Sequence, residues 1–209
     1  RGNRVLVVDT RNGKLFGEIA GMQHIQGITL VQKSRRGYVS DGASNSVHVI
    51  DLDSLKNLSD IPIAGKGPDA IVFDPASGHV LTMNGHSSNA SVIDPASDKA
   101  VTDIALPGRP EFAVSDGRGH VYANIEDKSE LARIDTSTNK VDATWKLAPC
   151  DSPSGLAIDT QSRRLFSVCD NRIMVVTDAD DGHQVATVAI GDGPDAARFD
   201  PATRLVYSS

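Results

Sequence analysis

The feature that most constrains the fold is a repeat of about 42 residues that runs through the whole chain. An aspartate closes an apolar run at intervals of 42, 43, 41 and 43 residues, namely at Asp9, Asp51, Asp94, Asp135 and Asp178. A second series, offset from the first, has intervals of 42, 42, 43 and 41 and comprises Gln32, Asp74, Asp116, Asp159 and Asp200. Two independent series with one period indicate an array of similar units that pack on their neighbours.

Each unit contains four short apolar stretches separated by turn-forming residues. In the unit 67–108 they cover residues 69–73, 79–83, 90–93 and 100–106. None is long enough for a helix of ten residues, whereas "DPASG" and "DPASDK" between them are typical turn sequences. Each unit is therefore predicted to be a four-stranded antiparallel meander.

A period near 42 with four strands per unit predicts an all-β fold, a β-propeller. A single sheet of this size would expose an apolar face, which radial packing of several sheets buries. We expect a half blade at 1–23, full blades at 24–66, 67–108, 109–151 and 152–192, and a half blade at 193–209. Because the chain begins at Arg1 and ends within "RLVYSS", we expect a fragment of a larger propeller.

Composition excludes some classes of protein. With 39% hydrophobic and 23% charged residues the chain is typical of a globular domain. The longest apolar runs fall far short of the roughly 18 residues that a membrane-spanning helix needs. A net charge of −6 with scattered basic residues disfavours binding to nucleic acid.

The repeats resemble those of the YVTN-repeat, YncE-like β-propellers, which are related in shape to the WD-repeat propellers. The hallmark strand is closest in "GYVSDG" at Gly37–Gly42 and is followed by "VHVID" at Val47–Asp51. The resemblance implies seven blades, although closure of five blades by the two halves stays open. It also implies a lactonase, a redox-enzyme domain or a non-catalytic binding module, and export to the periplasm or the extracellular space.

Acidic residues recur where the chain enters the innermost strand of a predicted blade. Asp69, Glu111 and Asp195 each follow a proline there, in "GPD", "RPE" and "GPD". Radial blades would direct these carboxylates toward the mouth of the central channel, where they suit a divalent cation such as Ca²⁺ or another cationic ligand. The alternative is that proline and a small acidic residue only shape the turn.

The loops between the second and third strands add further candidates at the same face. Asn84, His86 and Asn171 lie there, together with Asp41 and Glu126, and His24 precedes another innermost strand. His86 is the best-placed histidine. No histidine or cysteine motif with metal-ligand spacing occurs, so whether a metal binds is left open.

Cys150 and Cys169 are the only cysteines. The four-strand scheme brings both to one face of a blade, so they either form a disulfide, which implies an oxidising compartment, or remain reduced thiols.

No catalytic residue is assigned, because the sequence lacks a nucleophile elbow and a phosphate-binding glycine loop. The leading prediction is a non-catalytic, exported binding module that presents its acidic channel mouth to a protein or small-molecule ligand. The alternatives are a lactonase-like or other divalent-metal-assisted hydrolase, and a propeller domain of a larger sensor or redox protein. DNA binding, which the resemblance allows, is expected to be weak and salt-sensitive at most.

Overall fold

The structure, a computed structural model, describes residues 3–209, and strands dominate this range. Two single-turn 3₁₀ helices, Gln32–Ser34 and Glu126–Lys128, interrupt them. The strands are β1 (Val5–Asp9), β2 (Lys14–Ile19), β3 (Ile25–Val31), β4 (Arg36–Asp41), β5 (Ser46–Asp51), β6 (Asn57–Pro62), β7 (Pro68–Asp74), β8 (His79–Asn84), β9 (Asn89–Asp94), β10 (Lys99–Ala105), β11 (Pro110–Ser115), β12 (His120–Ile125), β13 (Glu130–Asp135), β14 (Lys140–Lys146), β15 (Pro153–Asp159), β16 (Arg164–Cys169), β17 (Ile173–Asp178), β18 (Gln184–Ala189), β19 (Ala197–Asp200) and β20 (Leu205–Ser208).

The strands form antiparallel meanders in chain order. The four-stranded sheets are β3–β6, β7–β10, β11–β14 and β15–β18, and β1–β2 and β19–β20 form two-stranded ones. The predicted repeat of four-stranded units is thus confirmed, and the fold is that of a β-propeller. The strands differ from the predicted ones by one or two residues. For example, β7 begins at Pro68 rather than Asp69, since the first position of a strand tolerates a residue without an N–H.

The aspartates of the first repeat series form the turns between the third and fourth strands. In each turn, a carboxylate oxygen of the aspartate accepts a hydrogen bond of 2.8–3.2 Å from the backbone N–H two residues ahead. The five aspartates are Asp9, Asp51, Asp94, Asp135 and Asp178. The second series does the same at Asp116, Asp159 and Asp200. Such side-chain turns explain why aspartate recurs with the period of the fold.

The core lies between neighbouring sheets. Tyr38 and Val49 of one sheet pack in a buried cluster with Val80 and Ile93 of the next. Further clusters join the sheets β7–β10 and β11–β14, and the sheets β11–β14 and β15–β18. Each fully buried side chain of this size contributes about 1.5–3 kcal/mol, so the sheets are held chiefly by apolar faces stacked around an axis.

Polar bonds supplement this packing at the end of the first strand. Asp74 accepts a hydrogen bond from Ser115 Oγ of the next sheet at 2.6 Å. One sheet further, Asp116 forms a buried ion pair with Arg163 at 2.9 Å. The second aspartate series therefore connects sheets as well as forming turns.

The first strands β3, β7, β11, β15 and β19 lie side by side. Together they line a cleft of about 1,030 Å³, which we call the central cleft. Among the described residues, no helix is long and apolar enough to cross a membrane.

Candidate functional site at the channel mouth

A β-bulge lies near the start of the first strand in each four-stranded sheet. In β7, Pro68 pairs with Asn84 and Ile71 with Thr82, so that residues 69 and 70 oppose a single residue of β8. The same bulge, with two residues opposite one, occurs in β3, β11 and β15. The first residue of each bulge, together with the matching residue before β19, forms what we call the bulge series: Gln26, Asp69, Glu111, Ser154 and Asp195. Bulges change the direction of side chains and are frequent beside functional sites.

The second strand of the preceding sheet holds the backbone of some of these bulges. Ser40 Oγ of β4 lies 2.5 Å from the carbonyl oxygen of Asp69 and donates to it. Asn124 Nδ2 of β12 likewise donates to the carbonyl oxygen of Ser154 at 3.0 Å. Ser40 and Asn124 are both buried, and their bonds fix the register of adjacent sheets where the bulge series lies.

Three of the predicted ligand residues line one small cavity. This mouth pocket has a volume of about 120 Å³ and contains Asp69, Glu111 and His86. His24, Gln26 and Arg109 also line it, and glycine and proline residues complete the wall. Three consecutive sheets thus contribute to a single pocket, as the radial arrangement predicts.

Two glutamates and an arginine dominate the electrostatics of the mouth pocket. Glu126 lies beside Glu111, and its Oε2 atom is 2.5 Å from Arg109 Nη2. Burial raises the pKa of Glu111 to about 8, and the hydrogen bond to Glu126, the charge of Glu126 and that of Asp69 act in the same direction, whereas Arg109 opposes them. Glu111 therefore retains a proton at neutral pH and shares a hydrogen bond with Glu126, because three ionised carboxylates cannot be tolerated so close together.

The histidine side of the pocket depends on a glycine. Gly67 has a φ of +64°, and a Cβ atom there would lie 2.7 Å from His86 Nδ1. A side chain at position 67 would thus be strained and would displace the imidazole. On the opposite wall, Gln26 Nε2 lies 3.0 Å from His24 Nε2, and the carbonyl oxygen of His24 accepts a bond from Gly42 N at 3.1 Å.

The other predicted ligand residues do not line the mouth pocket. Asn84 is buried and donates to Asn89 Oδ1 and Ser91 Oγ, both at 3.0 Å. Asn171 is exposed and bonds the backbone of the loop that precedes β15. Asp195 is also exposed; it is the last member of the bulge series and lies two sheets beyond Glu111. A ligand-binding role for these three residues stays a prediction.

The mouth pocket does not have the geometry of a preformed metal site. Within residues 3–209, one group of three histidine, cysteine or acidic side chains brings its ligand atoms within 4.8 Å of one another, and it consists of Asp178, Asp181 and His183. That group lies on the exposed turn between β17 and β18, away from the cleft. At the mouth, Asp69 and Glu111 line the pocket with His24 and His86, but no three of their ligand atoms come within that distance of one another.

The last residue of the second strand anchors the loop that precedes the first strand, through a hydrogen bond in one sheet and a disulfide in another. In the sheet β3–β6, Asp41 Oδ2 accepts a bond from Gln23 N at 3.0 Å. In the sheet β15–β18, the equivalent residue is Cys169, which a disulfide joins to Cys150 with the Cα atoms 5.4 Å apart. Both devices anchor loops at the mouth face.

Asp41 also belongs to a chain of side chains across three strands, which we call the polar relay. His48 Nε2 lies 3.0 Å from Asp41 Oδ2, and His48 Nδ1 lies 2.6 Å from Asp60 Oδ1. The next sheet has Asn84, Ser91 and Asp103 in these positions.

The relay favours a charged histidine. Burial lowers the pKa of His48, but its hydrogen bonds to Asp41 and Asp60 outweigh burial and raise it above the ordinary value. Burial likewise raises the pKa of Asp41, yet the bonds from His48 and from backbone N–H groups lower it to about 2. A protonated His48 donating to both carboxylates satisfies all three groups.

Some residues of the site escaped the sequence analysis as candidates. Arg109 was not predicted as a site residue, although it belongs to the "RPE" turn, because only the acidic residues of these turns repeat. Gln26 occupies the same place in the repeat as Asp69, so alignment on the bulge series finds it. The pairing of Glu126 with Glu111 has no sequence signal, since Glu111 lies on β11 and Glu126 on the 3₁₀ helix that follows β12.

Comparison with known proteins supports the fold. No protein-family model matches the chain, and no curated protein matches it. Among solved structures, the hydrazine synthase of Kuenenia stuttgartiensis is similar over 99% of this chain and 86% of its own, with 16% identity and a TM-score of 0.69. The dihydro-heme d1 dehydrogenase NirN, solved in complex with DHE, is similar over 91% of this chain, which spans 43% of that chain, with 19% identity and a TM-score of 0.71. At such identities the likeness establishes a shared β-propeller fold.

Proposed function

We propose that this chain is a YncE-like propeller module that binds a positively charged ligand at its channel mouth. The observation that carries the proposal is the mouth pocket itself, where Asp69 and Glu111 come together from adjacent sheets and Glu126 lies beside Glu111. A rigid scaffold that places carboxylates at one end of a cleft is suited to recognise a ligand and does not require a catalytic step.

The electrostatics of the pocket support a cationic ligand. Glu111 is half-buried beside two other carboxylates, and Arg109 is already paired with Glu126. A positive charge entering the pocket would interact with all three carboxylates and would replace the proton that Glu111 holds. Hydrogen bonds to ionised groups contribute about 1.5–3 kcal/mol each, so two such contacts give a measurable affinity.

Isothermal titration calorimetry tests the proposal with chloride salts of Ca²⁺, Mg²⁺, Mn²⁺, methylammonium, hexylammonium and guanidinium. We expect at least one cation to bind, and Asp69→Asn and Glu111→Gln each to weaken it by about tenfold, the effect of one charged hydrogen bond. Asp195→Asn is the matched control, since Asp195 belongs to the same bulge series but lies outside the mouth pocket. Absence of binding by every cation, or equal losses in all three variants, would refute the proposal.

A divalent-metal-assisted hydrolase is the second candidate. It is favoured by the presence of His24 and His86 in the same pocket as Asp69 and Glu111, because such a set can hold an ion that polarises a carbonyl. Against it, no three of these side chains bring their ligand atoms within 4.8 Å of one another. The hydrolase requires that Ca²⁺, Mg²⁺ or Mn²⁺ raise the melting temperature and that the loaded protein cleave a simple lactone, whereas the binding module requires neither.

A propeller domain of a larger redox protein is the third candidate. Both solved structures reported above are named as enzymes, and this chain spans less than half of NirN. Sequencing outward from both ends of the reading frame tests it: an adjoining redox domain would support this candidate, and further 42-residue repeats alone would support the binding module.

We also propose that the module is exported to the periplasm or the extracellular space. The disulfide between Cys150 and Cys169 supports an oxidising compartment. Binding to DNA is expected to be weak, given the net charge of −6; retention of single-stranded DNA at physiological salt would contradict that.

A further inference from the structure

The proposed function leaves open which class of cation the mouth pocket takes. Resting on that function, we propose that the ligand is an amphipathic primary amine, whose ammonium group occupies the mouth pocket and whose apolar body lies along the central cleft.

The two cavities adjoin each other and are unequal in size. Asp69 and Gln26 line both the mouth pocket and the central cleft. The mouth pocket, at about 120 Å³, has room for a head group, whereas the central cleft, at about 1,030 Å³, is as large as the sites of whole organic ligands. A ligand whose head is held by Asp69 therefore extends into the cleft.

The wall of the cleft is apolar next to the acidic head. Ile71, Phe73, Phe112, Ile158 and Phe199 line it, one or two from each of four first strands. Phe112 follows Glu111 directly in the bulge of β11, and its side chain is 38% exposed. The bulge thus presents a carboxyl group and an aromatic ring as neighbours on the same channel, a combination that complements an alkyl or aryl amine.

An ammonium group suits the spacing of the carboxyl groups better than a metal ion does. Ca²⁺ draws six to eight oxygens to about 2.3–2.6 Å, but among the described residues the mouth pocket brings no three such atoms within 4.8 Å. An ammonium group donates three separate hydrogen bonds at ordinary distances. Asp69 of β7 and Glu111 of β11 line the pocket, and Glu126 of the 3₁₀ helix lies beside Glu111, so acceptors for such a donor come from three elements.

The charges around Glu111 determine the proton balance of binding. It faces Asp69 on β7, Glu126 on the 3₁₀ helix and Arg109 on its own strand approach, and His86 and His24 line the same pocket. The amine enters as R–NH₃⁺ and keeps its proton, while the O–H bond of Glu111 breaks and that proton passes to the buffer. No other bond changes, so binding at pH 7 is accompanied by release of protons to the buffer.

Isothermal titration calorimetry of hexylamine, butylamine and methylamine in phosphate and in MOPS at pH 7 tests the proposal. We expect affinity to rise by about fourfold for each added methylene that enters the cleft, and the heat to differ between the two buffers because of the protons released. Neutral 1-hexanol should bind at least tenfold more weakly than hexylamine. Glu111→Gln should abolish the difference between buffers.

Two exposed apolar residues give a matched comparison for the body of the ligand. Phe112→Ala should weaken hexylamine several-fold and leave methylamine unchanged, while Leu58→Ala, on the outer strand β6 and 51% exposed, should change neither. Equal affinity for methylamine and hexylamine would overturn the amphipathic-amine proposal but leave a cation site intact. Failure of every amine and every metal ion to bind would overturn the proposed function as well, and preference for a divalent metal over all amines would reject the amine alone.

Discussion

Replacing His48 with leucine is expected to lower the free energy of unfolding by about 3 kcal/mol at pH 5.5. The substitution removes the central member of the polar relay and leaves Asp41, which is 1% exposed, without its imidazolium partner. Removing one partner of a buried ion pair costs about 3–5 kcal/mol. The lower end applies because Asp41 keeps its bonds from the backbone N–H groups of residues 23, 43 and 44.

The second ion pair of His48, with Asp60, adds little to this loss of free energy. Asp60 is 57% exposed in its side chain, so its ion pair with His48 adds less than about 1 kcal/mol. For a chain of this length, each kcal/mol corresponds to about 2–4 °C in the melting temperature. The leucine variant should therefore melt about 6–12 °C lower than the parent.

The effect depends on pH in a defined direction. Because the folded pKa of His48 is raised above 6.5, the contribution of His48 is complete below that pH and is lost as the pH rises through the folded pKa. The contribution of Asp41 is present above 3.8 and is lost as the pH falls through about 2. The relay stabilises most between these limits, so the difference between parent and His48→Leu should shrink at pH 9.

Urea unfolding followed by far-ultraviolet circular dichroism measures the free energy of unfolding of parent and variant at pH 5.5 and at pH 9. The chain supplies its own control, because Asp41→Asn with His48→Ser reproduces the Asn84–Ser91 arrangement of the adjacent sheet. This double variant should recover most of the loss and show no dependence on pH between 5.5 and 9. A loss below 1 kcal/mol at pH 5.5, or one that is equal at both pH values, would refute the assignment of a charged relay.

Three other predictions concern the mouth face. Reduction of the Cys150–Cys169 disulfide, or its replacement by two alanines, should lower the free energy of unfolding by about 3 kcal/mol, as expected for a loop of about 20 residues; denaturation with and without dithiothreitol measures it. Because the pKa of Glu111 is raised in the folded state, the folded protein loses stability as the pH rises from 4.5 to about 8. Melting temperatures measured across that range should therefore fall less steeply in Glu111→Gln than in the parent. Gly67→Ala should destabilise by about 1 kcal/mol or more because of its positive φ, whereas Gly191→Ala, with open space around it, should have little effect; parallel urea titrations compare them.

Much of the fold was predictable from the sequence because its turns have a chemical signature. Asp51 and Asp94 recur at the period of the sheet since their carboxylates form the turn, and local hydrogen bonds of this kind are encoded by a few adjacent residues. The same register placed Asp69 and Glu111 at one end of adjacent first strands. Their presence in one pocket follows from the repeat alone.

The parts that escaped prediction depend on contacts between strands. Asn84 was predicted as a ligand residue, which stays a prediction; its amide also donates inside the sheet to Ser91, seven residues away on β9, and no feature of the sequence indicated that bond. The relay through His48 links three strands, and nothing in its local sequence distinguishes it from a solvated histidine. Side-chain partners of this kind are decided by packing, which a single sequence does not display.

Substitutions at the bulges can alter the side chains at the channel mouth without altering the pairing of the strands. A bulge residue makes no ladder hydrogen bond that depends on its side chain, so substitution there leaves the pairing of the first and second strands intact. The chain already carries glutamine, aspartate, glutamate and serine at Gln26, Asp69, Glu111 and Ser154, each at the first residue of the same bulge. If the proposed binding at the mouth holds, ligand preference is encoded at positions separate from those that form the core, and it can be altered one sheet at a time.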